Sequence, residues 1–370
     1  MDVQPGARTV VCQLLAGHAP PAELDAPTAA ATTQTLRQCC WQVLPAVARA
    51  FPEAWRAHED LAALERAAGA LEAYGRLHTS LTLELADRFD DAGVDYVLLK
   101  SSAARFLVYE RPELRVGWDI DLAVPPDQLA RAERAARAMD FQPAEFDTRL
   151  MGFVPGEETR RGEVAGTHYE LAFLVYRADV GAGLDPALRA ELAPLPIAPA
   201  FPASADGANL CDVALDIHHA LALDISGEVV FDAVGEAPAG RRAVHVPRPG
   251  ALAFHLVFKL YWEGVHTYAK GLYQYADLAR LVPALDTREC RVLIDHLETA
   301  NLEVAGLFVL RRLPWAFDVA LPEALSVWVD EVGRRPRTGE PSRHNDLGDV
   351  WPRLWGRFAL VDEGEPGNQL

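Results

Sequence analysis

Lysine is almost missing from this chain. Only Lys100, Lys259 and Lys270 are lysines among 35 basic residues; the rest are arginines, set in a background rich in alanine, glycine and proline. Positive charge is scarce overall, with 53 acids giving a formal net charge of −18. A surface of that sign repels nucleic-acid phosphates and anionic membranes, so no polymeric nucleic acid and no membrane is expected as a partner. A lysine kept against such a bias is either chance or a place that needs a compact ammonium rather than a planar guanidinium fork.

Long apolar runs are also missing. No stretch reaches about 18 apolar residues, so no helix is expected to span a bilayer. The opening "MDVQPGARTVVCQLLAGHAP" lacks the basic region and long apolar run of a signal peptide. The five cysteines, with Cys39 and Cys40 adjacent, suit reduced thiols in a cytoplasm and give neither a disulfide framework nor a zinc spacing. There is no Walker-type loop and no dinucleotide glycine fingerprint.

What is present can fold. Half of the 370 residues are apolar, enough for a substantial core, and the length suggests two domains. Residues 34–92 read as helices. In "LAALERAAGALEAYGRLHTSLTLELADRF" the positions Leu61, Leu64, Ala68, Leu71, Gly75, His78, Leu81 and Leu85 recur at three- and four-residue steps, one face of a long helix that Gly93 would stop. "VDYVLL" (94–99) then reads as a buried strand, with Ser101 and Ser102 as N-caps of "AARFLVYE". "WDIDLAV" (118–124) is a second strand, followed by a helix opened by Pro125, Pro126 and Asp127. "THYELAFLVY" (167–176) and "DVALDIHHAL" (212–221) read as strands; residues 192–210 read as a loop. From about residue 249 the chain is helical, and periodicity is lost after Arg334.

The chemistry gathers in "LLKSSAARFLVYERPELRVGWDIDLAV" (98–124). On a strand, Asp119 and Asp121 share a face while Ile120 and Leu122 point into a core. Two carboxylates so placed suit a hard cation such as Mg²⁺, which takes oxygen ligands and substrate phosphates. Asp216, with its own apolar neighbours turned away, is a third ligand or a general base, and Glu170 is its rival. The turn Lys100-Ser101-Ser102 at a helix start suits a phosphate. Together these parts favour in-line phosphoryl or nucleotidyl transfer. The positive partner of Asp119 and Asp121 is expected to be Mg²⁺ carrying a triphosphate, not a protein cation. His218 reads either as site-facing or as a packed histidine held by a backbone carbonyl; His219 should face the other way.

Strand, small-residue turn, helix, then a strand with Asp-x-Asp resembles the DNA-polymerase-β-like nucleotidyltransferase superfamily. More closely, "YVLLKSSAARFLVYERPELRVGWDIDLAVPP" resembles a bacterial family of uncharacterised nucleotidyltransferases, through Leu99, Lys100, Tyr109, Arg115, Asp119, Asp121, Leu122, Val124 and Pro125. "VALDIHHAL" matches that family's acid-x-His strand at Asp216 and His218, and "LYQYADLARLV" its later helix at Asp277. The resemblance covers roughly residues 35–330. It implies an α+β fold: a small mixed β-sheet nucleotidyltransferase core (93–245) between an N-terminal helical region (1–92) and a C-terminal helical domain (246–335), with a tail at 336–370. It further implies Mg²⁺ on Asp119, Asp121 and Asp216, and nucleotide phosphates on Lys100, Ser101, Ser102, Arg115, Lys259 and Lys270. The substrate would be a nucleoside triphosphate, ATP in the first instance, and the acceptor a hydroxyl of a small molecule or of a peptide or protein. The alternative is an inactive binding module of the same fold. Three departures stand out: serines occupy a turn that usually holds glycine, Trp118 is bulky for the position before the first aspartate, and Lys259 sits about where the family often has histidine.

Overall fold

The computed structural model describes residues 5–149, 152–156, 171, 173–179, 192, 195, 210–222, 225–226, 231–266 and 272–334. It is a mixed α+β structure, as the sequence implied, with a six-stranded sheet and helices toward both ends of the chain. The chain divides into two compact units. One draws on Met1–Cys40, Pro52–His58 and Ala253–Leu370, the other on Trp41–Phe51 and Glu59–Leu252.

The first unit is helical. It contains α1 (Pro5–Ala16) and α2 (Ala26–Cys39), most of α7 (Pro249–His266), and α8 (Tyr273–Leu281), α9 (Thr287–Thr299), α10 (Glu303–Phe317) and α11 (Glu323–Arg334). Asp25 and Asp286 cap α2 and α9, each accepting an N–H from three residues on. Arg280 of α8 donates to the last carbonyls of α1, Leu15 O at 2.8 Å and Leu14 O at 3.2 Å, where the helix leaves acceptors without intrahelical partners. Among the described residues, no helix is long and apolar enough to cross a membrane.

The second unit carries the sheet, in the order β1-β2-β6-β5-β3-β4. Its strands are β1 (Val97–Leu98), β2 (Asp119–Ala123), β3 (Gln142–Asp147), β4 (Gly152–Pro155), β5 (Leu174–Asp179) and β6 (Leu210–His218). Only β2 and β6 pair in parallel; every other neighbouring pair is antiparallel. Ile120, Leu122, Val213, Leu215 and Ile217 are all buried on the apolar face of these two strands. Each such side chain contributes about 1.5–3 kcal/mol, which fixes the register, because a one-residue slip would turn the aspartates into the core.

Helices α3 (Leu44–Ala48), α4 (Glu59–Ala92), α5 (Lys100–Leu107) and α6 (Leu129–Arg137) complete this unit with two short ribbons, β7 (Ala220–Ala222) with β8 (Ile225–Ser226) and β9 (Val234–Ala239) with β10 (Arg242–Pro247). The long helix α4 buries all eight residues of the expected stripe and ends at Gly93, φ +60°. Gly75 has a steric reason: a Cβ there would lie 2.3 Å from Glu113 O, so glycine lets the Pro112–Leu114 turn press against the helix. Arg242 of β10 pairs with Asp87 and Asp90, anchoring the second ribbon to α4.

Two local expectations are corrected. Ser101 and Ser102 do not cap α5. The helix starts at Lys100, after Leu99, with no side-chain cap, and both serines lie buried in its first turn. Strands β3, β4, β9 and β10 went unrecognised because Gln142-Pro143-Ala144 and Val234-Gly235-Glu236-Ala237-Pro238 carry residues that rarely favour strands. Of the strand expected at 167–176, residues 167–170 and 172 lie outside the described residues, as do Glu170, Lys270, most of 192–210 and the tail.

Candidate active site

The parallel pairing of β2 with β6 sets the site. Its register places Asp121 directly opposite Asp216, Asp119 opposite Ala214, and Ala123 opposite His218. Side chains directly opposite share a face, so Asp119, Asp121, Asp216 and His218 all stand on the side away from the apolar core. Asp121 is 0% exposed, Asp216 6% and His218 1%, while Asp119 is half-buried.

Asp121, Asp216 and His218 each offer a ligand atom, all within 4.8 Å of one another. The tight cluster therefore holds two of the three expected carboxylates. Its third member is His218 rather than Asp119. Along the strands, Asp119 and His218 lie on opposite sides of the Asp121–Asp216 pair, one residue alternation away from it. The alternation in "ALDIHH" put His218 on the face of Asp216, and this parity was the signal for its role. His219 is half-buried.

Lys100 joins the cluster by an unusual route. β1 is hydrogen-bonded to β2, and Leu99 N–H donates to Asp121 O at 2.9 Å, which brings the following residue alongside Asp121. Lys100 then takes φ +48°, the left-handed region that a side chain with a Cβ rarely enters. Its ammonium lies 2.6 Å from Asp121 Oδ1 and 3.1 Å from His218 Nε2. The expectation of no protein cation between the acids is corrected at Asp121, whereas a pair with a carboxylate, which the sequence left open for Lys100 beside a phosphate contact, is what strand pairing delivers.

The electrostatics are tightly coupled. Burial alone would lower the His218 pKa, but Asp216 and hydrogen bonds with Asp121 and Asp216 outweigh burial and Lys100, lifting it to about 9. His218 Nε2 lies 3.2 Å from Asp216 Oδ2 and 3.3 Å from Asp121 Oδ1. A protonated Nε2 bonds to these carboxylates, whereas an unprotonated one accepts from Lys100. Two cationic groups thus compete for the Asp121 oxygen. Asp216 Oδ1 is buried and receives no hydrogen bond. A buried carboxylate oxygen in that state fits a hard divalent cation, and imidazole nitrogen is a serviceable further ligand.

Around the cluster, the remaining expected residues take varied positions. Ser102 is fully buried, and its Oγ accepts the Asp121 backbone N–H at 3.0 Å. Ser101 is 8% exposed; a Cβ at Gly117 would lie 3.3 Å from its Oγ. Arg115 is 2% exposed and donates from Nη1 to Val116 O at 2.6 Å. Lys259 is half-buried on α7, in the other unit, where Asp277 is buried on α8. Trp118, bulky as noted, lies against Phe146, Phe153 and Phe173, with ring centroids 5.7–6.4 Å away.

One supporting pair escaped the sequence reading. His78 of α4 donates from Nε2 to Asp119 O at 2.8 Å and accepts from Arg105 Nη1 on Nδ1 at 2.5 Å. Both side chains are fully buried. Burial first and Arg105 second hold the His78 pKa well below its ordinary value, so the ring is neutral with its proton on Nε2. Burial, then Arg115, lowers Arg105 to about 10. The long helix is thereby tied to the strand that bears the acids.

No curated protein matches this chain. A family model does: it covers residues 20–318, more than half of the chain, and its description, uncharacterised nucleotidyltransferase, agrees with acids paired across β2 and β6 beside the start of α5. The chain belongs to this family of uncharacterised nucleotidyltransferases.

Proposed function

We propose that the protein is a Mg²⁺-dependent nucleotidyltransferase that moves a nucleoside monophosphate group from a nucleoside triphosphate, ATP in the first instance, to an acceptor hydroxyl. Pyrophosphate leaves. The acceptor is a small molecule or a peptide or protein side chain. The observation that carries this reading is the register pairing of Asp121 with Asp216, with His218 on the same face and all three ligand atoms within 4.8 Å.

Asp121 and Asp216 would hold the metal, with Asp119 as a further carboxylate at the half-buried edge. Bound there, Mg²⁺ would neutralise charge that develops on the transferring phosphate. Asp216 is also the general base that we propose for the attacking hydroxyl. Lys100 and Ser101 would face the phosphates beside it. Arg115 completes the phosphate-binding set that we propose.

A second reading has its own observation. The Lys100 ammonium already sits 2.6 Å from Asp121 Oδ1, as in a module that binds nucleotide without transferring it. One experiment separates the two. The protein is incubated with MgATP and a panel of hydroxyl acceptors, and pyrophosphate and acceptor mass are measured. The enzyme reading expects pyrophosphate and a gain of one nucleotide on an acceptor. Thermal stabilisation by MgATP with no pyrophosphate on any acceptor supports the binding module instead.

A further inference from the structure

We propose that the Lys100 ammonium permanently takes the place of one of the two divalent ions, so that this site works with a single bound metal. The inference rests on the nucleotidyltransferase reading above and deepens it.

Two-metal sites hold their ions about 3.5–4 Å apart, bridged by shared carboxylates. Asp121, central in β2 and opposite Asp216, is the carboxylate placed to bridge. One of its oxygens is committed to Lys100 at 2.6 Å, a charge-assisted hydrogen-bond distance. A divalent ion on the same side would need that oxygen at roughly 2.1 Å and would meet the ammonium head-on. The same ammonium lies 3.1 Å from His218 Nε2, within reach of a second member of the cluster.

The ammonium is not there through a passing rotamer. The backbone holds Lys100 at φ +48°, and the Leu99–Asp121 hydrogen bond fixes the start of its side chain. An unfavourable backbone region kept at one position of a site is the mark of a residue held for its direction. The side chain is 23% exposed, and its ammonium lies against the fully buried Asp121. It is also one of three lysines among 35 basic residues. A point charge on a flexible stem can occupy an ion's position in a way that the planar fork of arginine cannot. On the other side, Asp216 Oδ1 is buried and receives no hydrogen bond. The protein's own cation holds one oxygen of Asp121, and Asp216 Oδ1 stays open to a metal.

The test counts ions and does not require turnover. The full-length protein is dialysed to equilibrium against Mn²⁺, alone and with a non-hydrolysable α,β-methylene analogue of ATP, and bound manganese is measured together with its electron paramagnetic resonance spectrum. Wild type should hold one Mn²⁺ per chain under both conditions, with no spin coupling between ions. Lys100→Met, checked for folding by circular dichroism, should hold two with the analogue and show the coupled spectrum of a close ion pair. If Lys100→Met does not fold, the wild-type count still decides. Two coupled ions in wild type overturn the inference, as does no bound manganese at millimolar concentration. One ion in wild type with no pyrophosphate on any acceptor would leave the inference standing and sink the transfer reading.

Discussion

Asp121 and Asp216 face each other across two parallel strands, buried, with His218 two residues beyond Asp216 on the same face. Like charges directly opposite on a sheet destabilise it, and burial makes each charge costlier. Lys100 beside Asp121 and a protonated His218 between the two acids offset that repulsion.

Asp216→Asn tests the pair. The amide keeps the shape but removes the charge that does most to hold His218 protonated, so in metal-free buffer at neutral pH the variant should be less stable than wild type, by about 1–3 kcal/mol. It is a poor Mg²⁺ ligand and cannot take up a proton, so pyrophosphate release should fall by a factor on the order of 10²–10³, the equivalent of several kcal/mol. Thermal melts and a pyrophosphate assay measure the two arms. A variant that stays fully active would remove the site.

Ser102→Ala tests a hydrogen bond beneath the site. β1 stops at Leu98, which pairs with Leu122, so the Asp121 N–H has no strand partner there and is taken by Ser102 Oγ. The alanine variant leaves a buried N–H unpaired, which costs about 1–3 kcal/mol. Its melting temperature should drop, and activity should fall with it because Asp121 loses its anchor. Ser101→Ala, whose hydroxyl borders Gly117, should leave the melting temperature near wild type and act on KM for the triphosphate. Equal melting behaviour in both variants would refute this division of labour.

The two acid-bearing strands were legible because alternation of period two is plain in "WDIDLAV" and "DVALDIHHAL", and each apolar face then fixes the side on which the acids stand. The long helix was legible for the same reason at period 3.6. The contact of Lys100 with Asp121 was not, because it depends on a left-handed residue after a two-residue strand, and no local pattern announces a positive φ at lysine. Ser102 was misread as a cap because serine before an apolar run signals one, whereas the helix had already begun a residue or two earlier. His78 looked like packing on a helix stripe. Its role appears only when Arg105, 27 residues later, is brought to its other ring nitrogen.

Metal removal should silence the protein without unfolding it. The described strands of the second unit are held by ladders and by the apolar face of β2 and β6. EDTA should abolish pyrophosphate release and leave the far-ultraviolet circular dichroism unchanged. Restoring Mg²⁺ to about 100 times its dissociation constant should raise stability by about 2.7 kcal/mol, through binding to the folded state alone. A collapse of secondary structure in EDTA would point instead to a structural ion.

The His78–Arg105 pair predicts a pH dependence of stability. The folded state holds His78 neutral, with a pKa well below the ordinary 6.5, through burial and the Arg105 charge. In the unfolded chain the ring takes up a proton near pH 6.5, so below that value the unfolded state binds more protons than the folded one. The contribution of neutral His78 is therefore complete above about pH 6.5 and is lost as the pH falls toward the folded pKa. The slope of this single group approaches about 1.4 kcal/mol per pH unit. His78→Gln keeps an amide donor for Asp119 O and a carbonyl acceptor for Arg105 but does not titrate. It should be less stable than wild type at about pH 8, by about 1–3 kcal/mol, because its shape fits the two partners less well. Between about pH 6.5 and 5 that gap should narrow by about 1–2 kcal/mol, since only wild type loses the histidine contribution. Melting curves for both proteins across this range measure the difference, in which the titration of all shared carboxylates cancels. A gap that stays constant with pH would mean that His78 takes up its proton alike in the folded and unfolded states, and that the link between α4 and the Asp119 carbonyl is built in some other way.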